Sequence, residues 1–184
     1  MQYPLAARSR HSSPTALAPN RGPHSPTPPE LALDNQLCFA LYSASLSMTK
    51  LYKTVLAPFG LTYPQYLTLL ALWEYDGQGV SELGAHLYLD SGTLTPLLKR
   101  METSGWLVRR RSTEDERRVL VHLTPKGHAL RSQARQVPRT LAARTRLDHA
   151  QAMQLTERLQ RLRAQLQTQQ PPFHFDEPSL DSDT

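Results

Sequence analysis

With 184 residues and 39% apolar content, the chain is long enough for one domain with a real core. No apolar run approaches the ~18–20 residues of a membrane span, and no apolar segment follows the basic N-terminus as in a secretory leader, so a cytoplasmic location is expected. The formal charge of +5 favours nucleic acid or another anionic surface as partner, and a single cysteine excludes an intrachain disulfide.

Residues 1–30 are rich in Pro, Ser and Ala. "HSPTPPE" suits neither a helix nor a central strand, because proline removes donors and fixes φ, so a disordered arm is expected there. The folded part is expected over 31–170. Residues 171–184, with four acids and no Lys or Arg, read as an acidic disordered tail. The first helix is expected to start near Asp34 as its N-cap. It carries Leu37, Leu41, Ala44, Met48, Leu51 and Val55 at alternating spacings of four and three, a seam suited to another helix. Pro58 and Gly60 stop it. A second helix is expected over Tyr63–Glu74, "DGQG" as a turn, and a short third helix over Ser81–Leu87.

The fourth helix is expected from Ser91 to Ser104, with Leu94, Leu97, Leu98 and Met101 on one face and Pro96 loosening its first turns. Two short β-favouring runs follow, Leu107–Arg111 and Arg118–Leu123, joined by the charged "STEDER". Thr124 caps a fifth helix, which Pro138 is expected to kink or end. Asp148 with Gln151 makes a capping box for a sixth helix bearing Met153, Leu155, Leu159, Leu162 and Leu166. Short helices followed by a β-wing are the layout of a winged helix-turn-helix.

The fourth helix sets Ser91, Thr93, Thr95, Lys99 and Arg100 opposite its apolar back. Small hydroxyls can approach phosphates and base edges, and cations can neutralise phosphates. The wing adds Arg109, Arg110, Arg111, Arg117 and Arg118, and an arginine at a β-tip can enter a minor groove. The run "DERRVLVHLT", Asp115–Thr124, resembles the wing signature of the MarR family of winged-helix regulators. That resemblance, over about Leu33–Leu166, implies a mainly α winged helix-turn-helix with N- and C-terminal dimerisation helices. It also implies an Asp115–Arg117 pair bracing the wing, a two-fold homodimer, and a pseudo-palindromic operator in double-stranded DNA with half-sites ~10 base pairs apart.

Cys38 lies in the first turns of the first helix, where the helix N-terminus favours a thiolate. Tyr42 lies one turn on. Tyr52 is fourteen residues on, ~21 Å along the helix, and so is placed to meet a partner's cysteine rather than its own. Tyr63 opens the next helix. The segments "LDNQLCFALYSAS", "LTYPQYLTLLALWE" and "LYLDSGTLTPLLKRME" resemble the organic hydroperoxide repressors, a branch of the MarR family. The resemblance implies that Cys38 is the peroxide-reactive residue of a single-cysteine sensor, that Tyr52 and Tyr63 of the other subunit hydrogen-bond its thiol, and that Tyr42 lies close by. It implies a repressor that leaves DNA when an organic hydroperoxide oxidises Cys38, with a small cellular thiol taking up the oxidised sulfur. The alternatives are a MarR-type regulator released by a non-covalent aromatic ligand and, from a different class, a thiol peroxidase. Tyr66, Tyr75 and Tyr88 read as packing residues. The seven histidines show no ligand spacing, so no metal and no cofactor are expected.

Overall fold

The computed structural model describes residues 28–168, which fall into two units divided between Ser43 and Ala44. The expected arm and tail lie outside the described residues, apart from 28–30. In the first unit, two 3₁₀ turns, Pro29–Leu31 and Leu33–Asn35, precede α1 (Leu37–Leu56), whose later turns belong to the second unit. Asp34 therefore sits inside a 3₁₀ turn and does not cap α1. The reason lies in the next two residues. The Asn35 carboxamide donates to the Pro29 carbonyl at 2.8 Å, and that of Gln36 donates to Glu30 at 2.8 Å and Ala32 at 3.1 Å. These side chains satisfy the turn carbonyls locally and delay the helix.

In the second unit, a 3₁₀ turn (Ala57–Phe59) ends α1, and Gly60 in the left-handed conformation (φ 64°) redirects the chain. The expected second helix, α2 (Tyr63–Glu74), has the predicted bounds, with the Gln65 carboxamide oxygen accepting the Thr62 N–H at 2.8 Å. Then come β1 (Gln78–Gly79), α3 (Val80–Leu87), α4 (Ser91–Thr103), β2 (Leu107–Arg111) and β3 (Val119–Leu123). The expected "DGQG" turn in fact contains β1, which pairs antiparallel with β3 and gives a sheet of order β1-β3-β2. Two residues are too few to show alternation in a sequence. Pro96 does not interrupt α4.

Next are α5 (Pro125–Ala134), α6 (Gln136–Thr145) and α7 (His149–Gln167). The break falls at Arg135, three residues before Pro138. Proline lacks the N–H that would bond the Ala134 carbonyl, and its ring crowds that same group. The Asp148–Gln151 box opens α7 at 2.8 and 3.1 Å.

In the second unit the core gathers the end of α1 and faces of α2 to α6, β2 and β3 around the helix-turn-helix. Leu56, Leu69, Leu72, Leu83, Leu94, Leu98, Met101, Leu107, Val121 and Val137 are fully buried. Each such side chain contributes roughly 1.5–3 kcal/mol of hydrophobic burial. Trp106 packs where an added Cβ on Gly127 would meet its carbonyl oxygen, so α5 can approach β2 only with glycine there. Among the described residues no single helix is long and apolar enough to cross a membrane.

Candidate DNA interface and thiol site

The four apolar residues predicted to back α4 are all buried, which leaves Thr93, Thr95, Lys99 and Arg100 exposed on its front and Ser91 half-buried at its start. Asp90 caps the helix: one oxygen accepts the Thr93 N–H at 2.7 Å and the other the Thr93 hydroxyl at 2.9 Å. These two bonds hold Asp90 below the usual carboxylate range. They also commit the hydroxyl proton of Thr93, leaving its oxygen to accept. Lys99 and Arg100 enter no ion pair among the described residues, so both charges remain available to a polyanion.

The wing arginines divide into two groups. Glu102 Oε1 accepts the Arg109 backbone N–H at 2.9 Å, and Oε2 accepts Nε at 3.0 Å and Nη2 at 2.8 Å. The backbone bond, then the guanidinium, holds Glu102 below the usual carboxylate range. Glu82 Oε1 accepts from Arg118 Nη2 at 2.5 Å, and its Oε2 takes the Gly79 N–H at 2.9 Å. Arg110, Arg111 and Arg117 are exposed and enter no ion pair among the described residues. Asp115 and Arg117, expected to pair, meet through the Arg117 backbone in a local turn, with no ion pair between their side chains among the described residues. Asp115 Oδ1 accepts the Arg117 backbone N–H at 3.0 Å, and the Asp115 carbonyl accepts that of Arg118 at 2.9 Å. An aspartate two residues ahead reaches the nearer backbone donor first.

Cys38 is the second residue of α1 and is exposed, as is Tyr42 one turn later. In the second unit, Tyr52 stacks on Tyr63 with ring centroids 4.1 Å apart, and Tyr66 lies 6.0 Å from Tyr52. Burial, then the neighbouring phenols, pushes Tyr52 up to about 12, and burial also raises Tyr63 and Tyr66. The three phenols therefore remain hydrogen-bond donors at neutral pH. Tyr66 is buried, as expected, but joins this cluster. Tyr75 and Tyr88, expected to pack, are exposed. Tyr88 takes a positive φ of 56° at the α3 C-cap, with the Arg163 guanidinium 4.5 Å above its ring.

The family profile of the transcriptional regulator SarA/Rot matches residues 50–134. The organic hydroperoxide resistance transcriptional regulator of Bacillus subtilis is 54% identical over 111 residues, covering 60% of this chain and 76% of that protein. The chain belongs to the organic hydroperoxide resistance regulators, winged-helix proteins of the MarR type. The HTH-type transcriptional regulator TtmR of Methylorubrum extorquens is 46% identical over 135 residues, 73% of this chain and 69% of that protein. Among solved structures, overoxidized AbfR bound to DNA is 39% identical, covers 73% of this chain and 94% of its own, and superimposes with a TM-score of 0.58. AbfR of Staphylococcus epidermidis alone gives 36% identity, 73% and 92% coverage and a TM-score of 0.59. Within this member of the family, Glu82 and Glu102 are the residues that sequence reasoning missed. The one available signal was an acid in the last turn of a helix meant to face phosphates.

Proposed function

We propose that this chain is a homodimeric, DNA-binding repressor that senses organic hydroperoxides through Cys38 and then releases its operator. The observation that carries the reading is an exposed cysteine in the first turn of α1, in a chain 54% identical to a hydroperoxide resistance regulator. Ser91, Thr93, Thr95, Lys99 and Arg100 of α4 face the major groove, and Arg111 and Arg117 of the wing reach the minor groove. Tyr52 and Tyr63 of one subunit, with Tyr42 nearby, hold the thiol of the other. Their rings already stand together as a stacked pair with centroids 4.1 Å apart, which supports a shared role.

The Cys38 thiolate attacks the terminal oxygen of the hydroperoxide. The S–O bond forms as the O–O bond breaks, and the alkoxide leaves and takes a proton to become the alcohol. Sulfur is oxidised by two electrons to a sulfenic acid. The sequence holds no second cysteine, so a small cellular thiol condenses with the sulfenic acid, expelling water and leaving a mixed disulfide. The added group strains the dimer seam and parts the DNA-reading lobes. Moving from mostly bound to mostly free takes on the order of 5 kcal/mol of differential stability. In this reading each Cys38 reacts once per switching event; many turnovers per cysteine with a thiol reductant would instead mark a thiol peroxidase.

The test uses the full chain and a fluorescent duplex that the chain itself selects from a random library. Adding tert-butyl hydroperoxide should release the wild type, with a mass gain confined to the peptide bearing Cys38, while Cys38→Ser stays bound. A serine variant that still let go would remove the redox role. It would favour the aromatic-ligand reading, which rests on an open groove of about 380 Å³ lined by Tyr66, Leu70, Trp73, Pro138, Arg131 and Arg135.

A further inference from the structure

Five arginines stand on the wing, and a polyanion would attract all of them. Only two are already held from outside it. We propose that Glu102 and Glu82 aim the wing by gripping Arg109 and Arg118, so that these two arginines are positioning residues and contact with DNA falls to Arg110, Arg111 and Arg117. This inference rests on the DNA-binding reading above.

Placement argues for it. Glu102 lies in the last turn of α4, where the helix dipole disfavours a carboxylate. It also lies on the element that approaches phosphates, where another negative charge is repelled. Three N–H donors from one residue, Arg109, offset both penalties. The carboxylate thereby fixes β2 to α4 across the short Ser104–Trp106 connection.

The second tether is similar but simpler, since the backbone bond of Glu82 goes to Gly79 at the N-cap of its own helix and only its other oxygen reaches the wing. Each carboxylate gives one oxygen to a backbone N–H and the other to a guanidinium. Glu102 joins α4 to β2, and Glu82 joins α3 to Arg118, the residue just before β3. The two helices of the reading pair thus each hold one side of the wing, and the β2–β3 ladder from Leu107↔Leu123 to Arg111↔Val119 closes the frame. A swing of the wing relative to α4 must break one of these links. The Glu102–Arg109 side chains are 33% and 29% exposed, against 59% and 52% for Glu82–Arg118, so the first pair is less screened and carries more of the aim.

A double-mutant cycle on the full chain tests this, with Glu102→Gln, Arg109→Gln and their combination. Each is measured on the selected duplex and on a scrambled duplex. We expect Glu102→Gln to weaken binding to the selected duplex about tenfold, the scale of one lost specific contact, although it removes a negative charge. Binding to the scrambled duplex should stay level or tighten. The double variant should bind the selected duplex no more weakly than Glu102→Gln alone, since Arg109 acts through Glu102. Unchanged or tighter binding of Glu102→Gln to the selected duplex would overturn the inference. So would additive losses, which would mark Arg109 as a direct contact. If circular dichroism shows Glu102→Gln unfolded, the parallel cycle on Glu82→Gln and Arg118→Gln decides by the same outcomes. A wild-type chain that selects no duplex would instead sink the DNA-binding reading itself.

Discussion

Tyr52 is the residue whose chemistry most depends on its neighbours. Its ring is stacked on Tyr63 and tilted against Tyr66, and burial together with those phenols raises its pKa to about 12. An unfolded tyrosine titrates near ~10. Between these values the folded chain keeps a proton that the unfolded chain has lost. The resulting stabilisation is fully present below pH ~10 and is lost as pH rises toward 12. Denaturant titrations at stepped pH should therefore show wild-type stability falling between pH ~10 and ~12, and Tyr52→Phe falling less over the same interval. Parallel slopes for the two proteins would mean that the ring stack does not protect the phenol. That Tyr52 and Tyr63 belong together was legible in the sequence through the resemblance of their segments, and the two rings do stack. The membership of Tyr66 was not, because it depends on the angle at which α2 leaves α1.

At the scale of elements, legibility followed the range of the controlling interaction. The start of α2 followed from Pro64 in its first turn, and the wing from two short β-favouring runs joined by a charged tip. The α5–α6 break was assigned to the right proline, but the carbonyl it leaves without a helical donor, that of Ala134, lies four residues upstream, so the break appears at Arg135. The tethers from Glu82 to Arg118, 36 residues apart, and from Asp76 to the Leu123 N–H, 47 apart, leave no local trace. The front of α4 was legible, since Lys99 and Arg100 fall opposite a leucine face that had to be buried. Lys99 gives the test proper to this element. A lysine on phosphate weakens binding uniformly when removed. In a two-fold dimer Lys99→Ala removes two such contacts and should flatten the slope of log affinity against log salt by roughly 2. The ratio of selected to scrambled duplex binding should hold. An unchanged slope would place Lys99 away from the backbone.

For the whole molecule the decisive feature is what the described chain leaves uncovered. No residue of α7 is buried, yet Leu155, Leu159, Leu162 and Leu166 recur on one face, and Leu155, Leu159 and Leu166 are each more than 40% exposed. Along α1, Leu37, Tyr42, Leu46 and Met48 are likewise exposed. Apolar stripes of this kind on terminal helices are what an isologous dimer would bury, and under two-fold symmetry each side chain counts twice. Replacing Leu159 by Asp should therefore cost the dimer roughly 3 kcal/mol or more, about a hundredfold or greater rise in its dissociation constant. The core holds no α7 residue, so the variant monomer should keep its helical circular dichroism and lose only the concentration dependence of its melting temperature. Light scattering across a dilution series reads both states. If Leu159→Asp stayed dimeric at the lowest concentration at which the wild type does, the α7 stripe would not be the seam. The proposed reach of one subunit's Tyr52 and Tyr63 to the other's Cys38 would then need a different dimer axis.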